Sequence, residues 1–137
     1  MAKSRKISTI SPKKNPKPSV PDSIKLELEA KAAVLIESVL KPKHVLPPAT
    51  DPQFNYITDI RANWYKSYFY FTATYTCPGP NALSPTFESK FARLKHVGGG
   101  KFALSFMRHN DEWFGLHDAL TVDECLSAIP DDAWFVP

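Results

Sequence analysis

The sequence predicts an α+β fold: an antiparallel meander of four or five strands, with an N-terminal helix and a short C-terminal helix packed on it. Three observations carry this. Gly98-Gly99-Gly100 joins two dense aromatic-aliphatic runs, and consecutive glycines permit the positive φ of a tight hairpin turn. After the turn, Phe102, Leu104 and Phe106 recur at period two, the spacing of a half-buried strand. At the two ends of the chain, apolar residues recur instead at spacings of three and four, the spacing of helices.

Residues 1–21 stand apart. They hold Lys3, Arg5, Lys6, Lys13, Lys14 and Lys17 and no acid, with four prolines between positions 12 and 21. Such a segment has too little apolar surface to offset the entropy of ordering it, so a disordered basic tail is expected, followed by one domain over residues 22–137. The tail takes six of the 17 Lys and Arg and none of the 14 Asp and Glu, so the whole-chain net charge of +3 belongs to the tail and the domain itself is net acidic. A tail of this kind solubilises the chain, or contacts nucleic acid, an acidic protein or an anionic surface by non-specific electrostatics.

Asp22-Ser23 reads as a helix N-cap, and the apolar stripe of Ile24, Leu28, Ala32, Leu35 and Val39, widened by Leu26, Ala33, Ile36 and Leu40, predicts a helix to Leu40, stopped by Pro42. Residues 41–53 form a proline-rich connector around Pro47-Pro48. Phe54 to Asn63 and Tyr68 to Cys77 read as a hairpin turning near Trp64–Ser67. In its second strand Phe69, Phe71, Ala73 and Tyr75 alternate with Tyr68, Tyr70, Thr72, Thr74 and Thr76, so the Phe69 face is expected in the core and the Tyr/Thr face partly exposed. An exposed Tyr68-Tyr70 pair with Arg61 and Lys66 nearby would suit base stacking, but a face covered by a helix or by a partner chain, including a second copy, is the preferred reading, since aromatic strand faces are ordinary packing. Residues 78–86 make a long loop, with Pro78-Gly79-Pro80 as its turn signal.

In the central hairpin the pleat before the glycines is ambiguous. Ala92 and Leu94 share one face, while Phe91, Arg93 and Lys95 share the other. Arg93 and Lys95 on a solvent face would form a basic strip. Asn110-Asp111 marks a further turn, and Glu112 to Leu116 a short final strand. Thr121-Val-Asp-Glu124 is a capping box, opening a helix that Pro130 ends.

With these elements laid out, the chain over roughly residues 30–135 resembles a family of small bacterial α+β domains of unknown function, most closely in its C-terminal half. The resemblance rests on Phe91-Ala92-Arg93-Leu94, on Phe102-x-Leu104-x-Phe106-Met107-Arg108, on Asp111-x-Trp113 and on a short leucine-containing helix with an aromatic close to the C-terminus. The family's pattern places a strand ending in Met-Arg with a tryptophan five residues after the arginine, as Met107, Arg108 and Trp113 stand here. Phe102 and Phe106 occupy positions where tryptophans are usual, Thr76-Cys77 replaces a Glu-Arg pair before the proline, and the basic tail is extra. The resemblance implies α+β architecture, a structural corner at Arg108 and Trp113, and no assigned activity.

Chemistry is sparse. His109, Asp111 and His117 are the densest polar cluster, but their spacing matches no metal motif, and a solvated turn explains them. The glycine triplet joins strands and is not followed by a helix, so it is not a phosphate loop. Cys77 and Cys125 are too few for a disulfide framework, and Cys125 falls on an apolar helix face. No cofactor, metal or membrane span is expected, and a cytoplasmic location fits the cysteines. The sequence reads as a non-enzymatic binding or interaction domain, with Tyr68, Tyr70, Arg93, Lys95, Arg108, Trp113 and the tail cations as candidate contacts. A small enzyme built around His109, Asp111 and His117 is the alternative.

Overall fold

The computed structural model describes residues 20–47, 54–78, 85–108 and 110–137. The six tail cations, the loop at 79–84, Pro48 and His109 lie outside them.

A single five-stranded antiparallel sheet forms the body, with strand order equal to chain order: β1 (Tyr56–Tyr65), β2 (Tyr68–Thr76), β3 (Thr86–Gly98), β4 (Lys101–Met107) and β5 (Trp113–Thr121). Helix α1 (Asp22–Leu35) runs through a π-helical turn, Ile36–Leu40, into the short α2 (Lys41–His44), and α3 (Val122–Asp131) precedes a 3-10 turn at Ala133–Phe135. All helices lie on one side. Helix α1 and its extension cross the β1 end, and α3 covers β4 and β5. The predicted α+β meander is the fold observed.

The expected core face is the buried one. Phe69, Phe71, Ala73, Phe102, Leu104 and Phe106 are all buried, in one core cluster with Leu28, Ile36, Cys125 and Ile129 of the helical segments, and Phe69 packs edge-on to Phe71 at 5.6 Å between ring centroids. The ambiguity before the glycines resolves as a β-bulge. Phe71 pairs with Ala92 and Thr72 with Lys90, leaving Phe91 as the extra residue, so Phe91 and Ala92 are both buried. A bulge shifts the alternation by one, and this is why the period-two reading gave a mixed face there. Gly98, Gly99 and Gly100 take φ of 105°, 62° and 74°, as the turn requires.

Several boundaries move. The N-terminal helix is capped by Pro21 without a side-chain bond, and Asp22 lies in its first turn, where a negative charge complements the helix dipole. Val20 is already buried. Pro42 does not end the helix. Lys41 donates its backbone N–H to Ile36 O, five residues back, and this wide turn makes room for a proline ring. The same turn explains which residues are buried. Leu28, Ala32, Ile36 and Leu40 recur every fourth residue, a row that drifts by about 40° per step around an ideal α-helix. The wider π turn brings Leu40 back over the sheet, while Leu26 and Val39 are exposed.

The first strand continues through Trp64 and Tyr65, with Lys66-Ser67 alone as the turn and Lys66 at φ 57°. Phe54, outside the strand, is 81% exposed. The final strand reaches Thr121 instead of Leu116 because β4 pairs with it along its whole length, Lys101 opposite Thr121. The capping box forms as expected: Thr121 N–H donates to Glu124 Oε1 (2.9 Å) and Glu124 N–H to Thr121 Oγ1 (3.2 Å). Pro130 sits inside the last turn of α3, one residue before its end.

Candidate functional site on the open face of the sheet

Among the described residues, no helix covers the other side of the sheet. Cross-strand partners share a face, so the pairings identify what lies there. Tyr68 faces Lys95, Tyr70 faces Arg93 and Thr72 faces Lys90. Arg93 faces Ser105, Ser105 faces Gly115, and Met107 faces Trp113. Five of the candidate contacts named from sequence, Tyr68, Tyr70, Arg93, Lys95 and Trp113, therefore converge on this face.

The geometry there is specific. Tyr70 and Trp113 have ring centroids 5.8 Å apart, although β2 and β5 are separated by two strands. Three inter-strand steps amount to about 14 Å, so both rings must lie over the intervening strands. Small side chains at Ala103, Ser105 and Gly115 leave that space open, and a Cβ at Gly115 would come within 4.0 Å of Ser105 Oγ. Tyr68 stands 5.9 Å from Tyr70. The Arg93 guanidinium lies 4.8 Å from the Tyr68 ring centroid and 4.9 Å from that of Trp113, and the Lys90 ammonium is 5.5 Å from that of Tyr70. The result is a cluster of three aromatic rings interleaved with cations.

Charge separates across the sheet. Eight of the 14 acids (Asp22, Glu27, Glu29, Glu37, Asp123, Glu124, Asp131 and Asp132) belong to the helices or their termini, against four lysines. Lys31 bridges two of those acids, Glu27 at 3.0 Å and Asp123 at 2.8 Å. On the bare side Arg61 pairs with Glu88 at 2.6 Å, which raises the Arg61 pKa and lowers that of Glu88, the shared hydrogen bond being the leading cause for both. Asp59 is engaged by Lys41 at 3.3 Å. Among the described residues, Lys90, Arg93 and Lys95 have no carboxylate within ion-pair distance, and Arg93 Nε is buried without a hydrogen-bond partner. Residues 22–137 are net acidic, yet among the described residues three cations of one strand form no ion pair, although Lys90 acts on Glu88 at longer range.

The remaining candidates lie elsewhere. Arg108 is on the helix side, its guanidinium 5.4 Å from the Phe114 ring centroid, and forms no ion pair with Asp111. Trp113 packs instead with Tyr70 and Arg93, so the corner implied by the resemblance does not join Arg108 to Trp113. Asp111 takes φ 63° in the β4–β5 turn, while His117 lies six residues on, about 20 Å along an extended strand. His117 borders an open depression with Asp123, Glu124 and Asp131, and no group of three or more metal-ligating side chains occurs among the described residues. Sequence reasoning missed Lys90 as a contact. Its signal was the bulge, which places Lys90, Arg93 and Lys95 on one side although their numbering does not alternate.

A family model described as a domain of unknown function (DUF3024) matches residues 12–137. The chain belongs to the DUF3024 family. The match is broader than the resemblance read from the C-terminal motifs and begins within the basic segment, before Lys13. No function is assigned to DUF3024 domains. No curated protein and no solved structure matches this DUF3024 chain. Among its described residues, no helix is long and apolar enough to cross a membrane.

Proposed function

We propose that this chain is a non-enzymatic binding domain, and that the bare face of its sheet binds single-stranded nucleic acid. The observation that carries this reading is the row Lys90, Arg93 and Lys95, without an ion pair among the described residues and interleaved with Tyr68, Tyr70 and Trp113. Unpaired bases stack on aromatic rings while phosphates follow a cationic track, and both are needed for a strand to bind without sequence readout. A duplex hides its base faces and can use only the cations.

A two-fold homodimer through the same patch is disfavoured by its charge. An isologous contact would bring two copies of the same cationic patch together. Residues 1–21, taken as an extension of a domain spanning 22–137, add phosphate contacts through Lys3, Arg5, Lys6, Lys13, Lys14 and Lys17. A cytoplasmic location agrees with the two unbridged cysteines.

The test is fluorescence anisotropy of the full chain with a labelled dT oligomer, an rU oligomer and a duplex of equal length, at low and moderate salt. Single strands should bind more tightly than the duplex. Replacing Lys90 and Lys95 by glutamine should reduce the log–log salt slope by about 1.4, at about 0.7 per phosphate contact on a single strand. Polyglutamate should compete poorly. Equal binding of duplex and single strand, or effective competition by polyglutamate, would reduce the face to an ionic surface for any polyanion, acidic proteins included.

A further inference from the structure

A second feature lies on the helix side of the sheet, where β4 and β5 meet the C-terminal 3-10 turn. Phe135 anchors that turn in the core, 2% exposed. Its neighbour Trp134 is held the other way, with its backbone N–H donating to Asp132 Oδ1 at 3.2 Å. The Trp134 ring stacks on Phe106 at 4.9 Å and 26° between planes, yet remains 59% exposed. Phe106 in turn packs against Phe114 at 5.4 Å. Together with Leu116 and Val136 these rings wall a cavity of about 600 Å³.

Large apolar side chains left in water on both walls of one cavity indicate a place for an apolar group. The cavity volume falls in the range of small-molecule sites. Arg108 is the single charged residue lining it, and among the described residues it has no acidic partner. Its guanidinium lies against Phe114, at the junction of apolar wall and solvent.

We propose that this cavity binds a small apolar carboxylic acid, its chain or ring against Phe106, Phe114 and Trp134 and its carboxylate on Arg108. A carboxylate supplies both the opposite charge and the two acceptor oxygens that a guanidinium matches in one plane. The site is independent of nucleic-acid binding, since Tyr70, Arg93 and Trp113 occupy the opposite face.

The full chain is titrated with decanoate and, separately, with the uncharged 1-decanol, followed by calorimetry and tryptophan fluorescence. Decanoate should bind saturably at one site per chain. Arg108→Gln should weaken decanoate about tenfold or more, the ratio for loss of a hydrogen bond to a charged group, and leave 1-decanol unchanged. Trp134→Ala should weaken both ligands. Both altered side chains are exposed, and circular dichroism confirms that the variants fold. The proposal is overturned if decanoate does not saturate, if Arg108→Gln leaves its affinity unchanged, or if Trp134→Ala affects neither ligand.

Discussion

Replacing Trp113 by alanine separates recognition from architecture on the open face. The ring is half-buried and touches two partners, Tyr70 at 5.8 Å and Arg93 at 4.9 Å. An aromatic pair contributes about 0.5–1.5 kcal/mol and an exposed cation–π contact about 0.5–1 kcal/mol. With some lost burial, the variant should lose about 1–3 kcal/mol of stability, which a domain with a typical margin of about 5–15 kcal/mol tolerates. Binding should suffer more visibly. Loss of one stacked base costs about 1–3 kcal/mol, or about 5- to 150-fold in Kd. The assay is anisotropy with a dT oligomer at fixed salt, alongside urea unfolding of the same preparation. Trp113 carries no charge, so the salt slope should not change, whereas Lys95→Gln should alter it. Trp113→Phe should restore part of the affinity. If Trp113→Ala lowers the urea midpoint but leaves Kd within twofold, the ring only covers the sheet and the stacking argument fails.

Phe69 is fully buried, with Trp64 at 5.2 Å and Phe71 at 5.6 Å, so Phe69→Ala should cost about 3–5 kcal/mol in urea unfolding, much of the native margin. Thr121→Ala removes the side-chain half of the capping box and should lower stability by about 1 kcal/mol, read as a small drop in Tm. Glu124 is held below its ordinary value of 4.5 chiefly by the Thr121 backbone N–H and also by the Thr121 hydroxyl. A depressed carboxylate contributes stability that is complete above the unfolded pKa and lost as pH falls through the folded one. Glu124→Gln should therefore flatten the fall in stability as pH drops below the ordinary carboxylate value, measured by urea midpoints across an acid series. The Cys125 thiol is fully buried and pushed up to about 12 by that burial and by Glu124, while Cys77 is half-buried. A thiol reagent at pH 8 should modify one cysteine per native chain and both in denaturant, and fast labelling of two in the native state would contradict the packing of α3.

What the sequence determined alone was local. The glycine turn, the alternation in β2 and β4 and the Thr121–Glu124 box each depend on residues a few positions apart, so pattern and chemistry stated them directly. The α+β class followed from the order of those elements. Tertiary structure decided the rest, because it depends on contacts between distant segments. A bulge at Phe91 is invisible to a period-two reading, since its alternation breaks only when a neighbouring strand sets the register. Pro42 reads as a helix stop until the π turn before it is seen, and that turn is stabilised by Ile36 and Leu40 packing on the sheet. Tyr70 and Trp113 are 43 residues apart in sequence and three strands apart in order, and they meet over the small Ser105 and Gly115, with Arg93 beside both rings. His109, Asp111 and His117 are close in number but are strung along one turn and one extended strand, so proximity in sequence did not make Asp111 and His117 neighbours in space. The face opposite the helices, with three cations that form no ion pair among the described residues, became legible only once the helices had taken the other side.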